Sequence, residues 1–282
     1  MKATVHIKRI IKQLTLLFMP RFGSKIVMRS ANNPKTFRSQ VDLVLKERFF
    51  KQKNELFESL VQESRAQIRQ DIVALALNDF KNDGGVFCEI GATDGLILSN
   101  TYLLEKMGWK GLLVEPCRKF NKKILSNRTS RVDTRAVFEQ SGVKLEFFES
   151  RISELSSLHR DYEDSWIKMR NFASKRYYVQ SISLEDLIKE NFGSQTIDFL
   201  SIDIEGGEIS ALKTFHQISK QVRFVVVETS NNPSRITEIS ALMKKSRFKR
   251  INMGYQYWDE WFCNETELKK IAKYNIQICD DD

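Results

Sequence analysis

The sequence predicts an α/β fold: a doubly wound, mostly parallel sheet preceded by an N-terminal helical extension. Three observations lead there. From Val86 onward, short apolar runs alternate with segments of helical period, as in "VFCEIG" followed by "NTYLLEKMGW". Several of these runs end on a carboxylate, namely Glu89, Glu115, Asp203 and Glu228. A glycine pair, Gly91 and Gly95, stands just past the first run, where open α/β sheets receive their ligands.

The N-terminal part is separate in character. Residues 1–41 carry nine Lys or Arg and no acid, while the rest of the chain holds 36 bases and 36 acids. The net charge of +9 therefore resides in a basic arm on a neutral body, a weaker hint of nucleic acid than a uniformly basic chain and one that fits anionic membrane equally well; a nucleic-acid partner is not expected. In the arm, Ile7, Ile10, Ile11, Leu14, Leu17 and Phe18 share one helical face, and Lys8, Arg9 and Lys12 another. Three readings fit residues 1–30: a helix docked on its own body, a peripheral contact with anionic membrane, or an organellar transit peptide. No run approaches the ~20 apolar residues of a membrane span. A cytoplasmic protein is expected, with any peripheral contact at the inner membrane face.

Residues 42–83 form a helical extension: Phe49, Leu56, Leu60, Ser64, Ile68, Ile72 and Leu75 keep a three-to-four spacing without Gly or Pro, up to a turn at Gly84-Gly85. Residues 84–279 form the main domain. "VFCEIG" and "KGLLVEP" are strands, and "KFNKKILSN" is a helix. "RVDTRAVF" is a strand and "VKLEFFES" an added hairpin. Residues 151–178 read as a polar, irregular insert, in which His159, Trp166, Lys168, Arg170, Phe172, Arg176, Tyr177 and Tyr178 either grip an acceptor or pack. "LEDLIKENF", "ISALKTF" and "ITEISALMKKS" are helices, alternating with the strands "IDFLSID" and "VRFVVVET". The end reads as two more strands, with Tyr255, Tyr257, Trp258 and Trp261 as cross-strand packing. Cys88, Cys117, Cys263 and Cys279 form no C-x-x-C pair and are expected to be free, buried thiols.

The strand-end candidates for a ligand are Glu89, Gly91, Ala92, Thr93, Asp94, Gly95, Glu115 with Pro116, Ala136, Asp203, Glu205 and Glu228. A dinucleotide would want G-x-G-x-x-G, but here the glycines stand four apart, and Asp94 would repel a pyrophosphate. S-adenosylmethionine is cationic and free of phosphate, so acids suit it. Glu89 would meet its amino-acid end and Glu115 its ribose hydroxyls.

At this point the residues resemble a known family. "EIGATDGLILSNTYLLEKMGWKGLLVEP", "VQSISLEDLI", "IDFLSIDIEGGEISALKTF" and "VVVE" look like the FkbM-type methyltransferases, over about residues 84–230. The resemblance implies a Rossmann-like, S-adenosylmethionine-dependent methyltransferase, often acting on sugar hydroxyls. It implies cofactor contacts at Glu89, Gly91, Ala92, Thr93, Gly95, Ser99, Asn100 and Glu115. It also implies a central acidic motif at Asp203, Glu205, Gly206 and Glu208. Close relatives often carry His-Asn after the "VVVE" acid; this chain has Thr229-Ser230 there, so no histidine serves as base at that point.

A hydroxyl acceptor must lose a proton, which requires a base or a metal. Asp203 is the first candidate, with Glu205 and Glu228 beside it. Either burial raises its affinity for protons, or Asp203 and Glu228 hold a divalent cation, Mg or Mn. The expected acceptor is a hydroxyl on a surface-polysaccharide or glycolipid precursor. The competing readings are a nicotinamide-dependent sugar-modifying enzyme, an RNA methyltransferase and a catalytically dead binding protein on the same fold. The glycine spacing opposes the first. The Asn/Asp-Pro-Pro-aromatic motif usual in methylators of base amino groups is not found at "SIDIEGGE", which opposes the second.

Overall fold

The computed structural model describes residues 34–81, 84–150, 157–158, 173–255 and 258–279. Residues 1–30 and the insert side chains His159, Trp166, Lys168, Arg170 and Phe172 lie outside the described residues, as does Tyr257. Two compact units divide the chain at Val44. The described part of the first is the start of a helix, Pro34–Phe49, which opens on a proline, where a missing N–H costs nothing.

In the second unit, helices Asn54–Glu63 and Gln70–Leu77 follow. The single helix expected over residues 42–80 is thus broken twice, without Gly or Pro at either break. Side chains supply the second break. Gln70 Oε1 accepts from the Ile68 amide, Asp71 Oδ1 accepts from Ser64 Oγ, and Arg69 sits at φ 65°. Ala66 pairs with Leu98 as an isolated parallel bridge. Such local bonds compete with helix, and spacing alone does not reveal them. Every residue of Gln70–Leu77 is buried, as befits a helix apolar almost all round.

The described strands, in chain order, are β1 (Val86–Ile90), β2 (Lys110–Val114), β3 (Arg131–Asp133), β4 (Ala136–Phe138), β5 (Lys144–Ser150), β6 (Ser157–Leu158), β7 (Ala173–Ser183), β8 (Ile197–Ile202), β9 (Val222–Glu228), β10 (Phe248–Asn252), β11 (Asp259–Asn264) and β12 (Gln277–Ile278). Eight of them form the main sheet, in the order β12-β10-β11-β9-β8-β1-β2-β3. The pairs from β9 to β3 are parallel, whereas β11 pairs antiparallel with both β9 and β10. The fold is therefore the doubly wound, mostly parallel α/β sheet expected. β1 and β8 are buried along their whole length, so their apolar runs do not alternate. One face packs Cys88, Ile90, Leu200, Ile202, Val225 and Phe262 into the main core. On the other, Phe199 stacks on Trp261 at 5.8 Å, so Trp261 is the packing residue expected.

Strand order reverses between β1 and β8, since β2 and β3 continue to one side and β9 to the other. The crevice beyond the carboxyl ends of β1 and β8 is therefore the place for a ligand.

The second sheet was not foreseen. β4-β7-β5-β6 form a four-stranded sheet over a core of Cys117, Phe120, Ala136, Phe138, Leu145, Phe147 and Val179. Residues 173–178, expected within an irregular insert, begin the long strand β7, antiparallel to β5. From Tyr177 to Ser181, β7 alternates inward and outward side chains, a period-2 signal hidden by its polar residues. "RVDTRAVF" likewise divides. The Asp133 carboxylate accepts from the Arg135 amide and turns the chain, so β3 ends at Asp133 and the buried Ala136 opens β4 rather than ending a main-sheet strand. Cys88, Cys117 and Cys263 are buried thiols outside any disulfide, and Cys279 is a half-buried one. No helix among the described residues is long and apolar enough to cross a membrane.

Candidate active site

The loop after β1 is held from three sides. Gly91 and Ala92 donate their amides to the Val114 carbonyl, and the Asp203 amide donates to the Ile90 carbonyl. Thr93 takes φ 47° and gives its amide to Glu115 Oε2 at 2.8 Å. Asp94, buried, caps the next turn by accepting from the Leu96 and Ile97 amides. Glu89 is buried behind this loop. It accepts from Ser99 Oγ, the Asn100 amide and Thr101 Oγ1, the last at 2.6 Å. Through these bonds Glu89 shapes the loop carrying Ser99 and Asn100.

Glu115 ends β2, buried, with Oε1 accepting from the Cys117 amide across Pro116 and Oε2 from Thr93. Burial pushes its carboxyl up to about 7 despite those two amides. Asn100 gives its side-chain amide to Ser201 Oγ, and its buried Oδ1 has no hydrogen-bond partner among the described residues. A buried acceptor without a donor is costly, and its position fits a cationic ligand group.

Beyond β8 and β9 the acids gather. One oxygen each from Asp203, Glu208 and Glu228 lie within 4.8 Å of one another. Asp259, opposite Glu228 in register, is buried and takes a 2.5 Å hydrogen bond from Gln70 Nε2; burial raises it to about 6. Asp203 has an exposed edge but stands deep among protein atoms. That crowding, then the charges of Glu205, Asp259 and Glu208, hold its carboxyl well above the usual range. Glu228 is raised too, by burial and then by Asp203, with which it shares a hydrogen bond. Among the described residues, no N–H or O–H reaches the buried Glu228 Oε2. Two carboxyls so placed titrate as a pair.

Glu208 is committed elsewhere. It accepts from the amides of Ile204 and Gly206, and from Arg235 Nη2 of helix Pro233–Lys245. These bonds support the turn in which Glu205 (φ 53°) and Gly206 (φ 111°) are left-handed. Of the three clustered carboxylates, this leaves a cation Asp203 and Glu228.

The structure thus brings Glu89, Gly91–Gly95, Ser99, Asn100, Glu115 and Asp203 to one rim, with Glu228 beside Asp203. Ala136 opens β4 of the second sheet and shares a buried cluster with Cys117, whose amide bonds Glu115. Sequence reasoning missed Gln70, Asp259, Arg128 and Arg235. Arg128 donates to Gly95, Ser99 and Thr101, and Arg235 to Glu208. A lone base or amide far along the chain carries no motif; only contact reveals it.

The family model described as the methyltransferase FkbM domain matches residues 89–257. No curated protein matches the chain in sequence. Among solved structures, the METTL16 methyltransferase domain is similar at 11% identity and TM-score 0.40, over 82% of this chain and 81% of that one. A TehB-like SAM-dependent methyltransferase from Corynebacterium glutamicum is similar at 8% identity and TM-score 0.38, over 76% and 97%. The plantazolicin methyltransferase BpumL in complex with SAH is similar at 9% identity and TM-score 0.29, over 86% and 71%.

Proposed function

We propose that this chain, which belongs to the methyltransferase FkbM family, transfers a methyl group to a hydroxyl of a sugar, glycan or glycolipid precursor. Membership makes it an S-adenosylmethionine-dependent methyltransferase; the hydroxyl acceptor is our reading. The observation that carries it is the Asp203–Glu228 pair, two carboxyls with oxygens within 4.8 Å of one another, each held above the usual carboxylate range by desolvation and by neighbouring acids. A hydroxyl needs a proton acceptor whose proton affinity approaches the working pH, and an ordinary carboxylate, at about 4, is too weak a base.

The residues fit the cofactor. Glu115 faces the rim as an acceptor for the ribose hydroxyls, flanked by the backbone of Gly91, Ala92, Thr93 and Gly95. Asn100 Oδ1 offers an acceptor to the amino group, with Ser99 alongside and Glu89 holding both. When bound, S-adenosylmethionine supplies a methyl group on a cationic sulfonium. The acids around it favour that charge and hold the acceptor in line. With S-adenosylmethionine bound, the methyl–sulfur bond would break as the acceptor oxygen bonds to the methyl carbon, the neutral thioether leaving. Asp203 would take the hydroxyl proton and Glu228 would keep Asp203 oriented. Glu205 adds negative charge that strengthens the base.

A second reading places a divalent cation, Mg or Mn, on Asp203 and Glu228 to acidify the hydroxyl; the closeness of their oxygens favours it. The basic segment 1–41 supports acceptors assembled at an anionic membrane, hence polysaccharide biosynthesis at the inner face. The test is a tritiated-methyl screen over nucleotide sugars, lipid-linked glycans and RNA, with mass spectrometry of the product. An O-methyl sugar is expected. Label confined to a base nitrogen of RNA would overturn the hydroxyl reading.

A further inference from the structure

The Arg128 side chain is completely buried, one residue past the helix Asn121–Asn127, and its five N–H donors all have acceptors. Nε donates to Glu105 Oε2 at 3.0 Å. Nη1 donates to the Gly95 carbonyl at 3.0 Å and to Ser99 Oγ at 3.1 Å. Nη2 donates to the Thr101 carbonyl at 3.3 Å and to Thr101 Oγ1 at 3.0 Å. Its charge lies 3.5 Å from Glu89 and is balanced by Glu89 and Glu105. Phe87 and Tyr102 place their rings 5.6 and 5.9 Å from the guanidinium carbon.

All five bonds end on the segment Gly95–Glu105. That segment carries Ser99 and Asn100, and it takes Leu98 through a left-handed φ of 56°. Little else in the segment is regular before Tyr102, so its shape depends on side-chain bonds. We propose that Arg128 is the positioning residue that pre-forms the cofactor loop, acting on the cofactor through Ser99, Asn100 and Glu89 without touching it. The inference rests on the reading that this loop holds S-adenosylmethionine. A lysine cannot take its place, because one ammonium has three donors on a single atom and cannot span acceptors spread over five sites.

The experiment uses the full chain, with S-adenosylmethionine affinity by calorimetry, steady-state kinetics and thermal melting. Arg128→Lys keeps the charge and is expected to raise the KM for S-adenosylmethionine about tenfold or more, a larger change than the fall in kcat. Thr101→Val is the second variant, should the first fail to fold. It removes one hydroxyl that bonds both Arg128 and Glu89, and is expected to raise that KM about threefold. Unchanged cofactor KM in a folded variant would overturn the proposal, even with a lowered melting temperature, because the role would then be structural only. Failure of the wild-type chain to bind S-adenosylmethionine would overturn the cofactor reading itself, and this inference with it.

Discussion

The carbonyl oxygen of Asp203 occupies the space that a side chain at position 91 would need: a Cβ on Gly91 would lie 1.7 Å from it. The glycine after β1 is there to let the loop press against the end of β8, which sets the cofactor loop and the proton acceptor side by side. Gly95 serves the same purpose toward Arg128, whose Cγ would lie 2.7 Å from an added Cβ. Both glycines make room for protein. Proximity of a ligand to the backbone follows from that packing.

Gly91→Ala should destabilise the fold by at least about 2 kcal/mol, since the obstacle is backbone and φ is 91°. Denaturant titration measures it. Near-wild-type stability would show that the β1 and β8 loops are not so closely packed.

Asp203→Asn should lower kcat by about a hundredfold or more while S-adenosylmethionine still binds. Wild-type turnover in a folded variant would remove Asp203 from the mechanism.

Glu205→Gln deletes the largest of the neighbouring charges that raise Asp203. The acid limb of the pH–rate profile should move to lower pH, with a lower plateau, because the base becomes weaker. An unmoved limb would mean that Asp203 and Glu228 do not set it.

Glu115 supplies a stability signal of definite sign. Its folded carboxyl titrates near 7 against 4.5 for an ordinary glutamate. The folded chain therefore holds more protons in that window, and the stability contribution is complete below the lower value and lost as pH rises through the upper. The cofactor-free melting temperature of Glu115→Gln should decline less than that of wild type between about pH 5 and about pH 8. Parallel curves would place the titration elsewhere.

Dialysis against a chelator should leave transfer intact if the Asp203–Glu228 pair works as a proton acceptor. Activity lost on dialysis and restored by Mg or Mn would establish the cation reading in its place.

Much of this molecule was legible before any coordinates. Alternating apolar runs dictate a parallel α/β sheet, because a strand buried on both faces needs continuous apolar sequence and a helix to cross back. The carboxylates at strand ends and the family motifs located the rim, since residues adjacent in sequence to a strand end must lie there in space. Tertiary structure alone decided the rest. It broke the long helix through the side chains of Gln70 and Asp71, built β7 from a polar run, and turned Glu89 onto donors ten to twelve residues away and Glu208 onto Arg235 of another helix. It also recruited Arg128, Arg235 and Asp259, whose neighbours in sequence say nothing of their partners. A hydrogen bond or a raised proton affinity depends on distances of a few ångströms across the fold, and no local spacing encodes those.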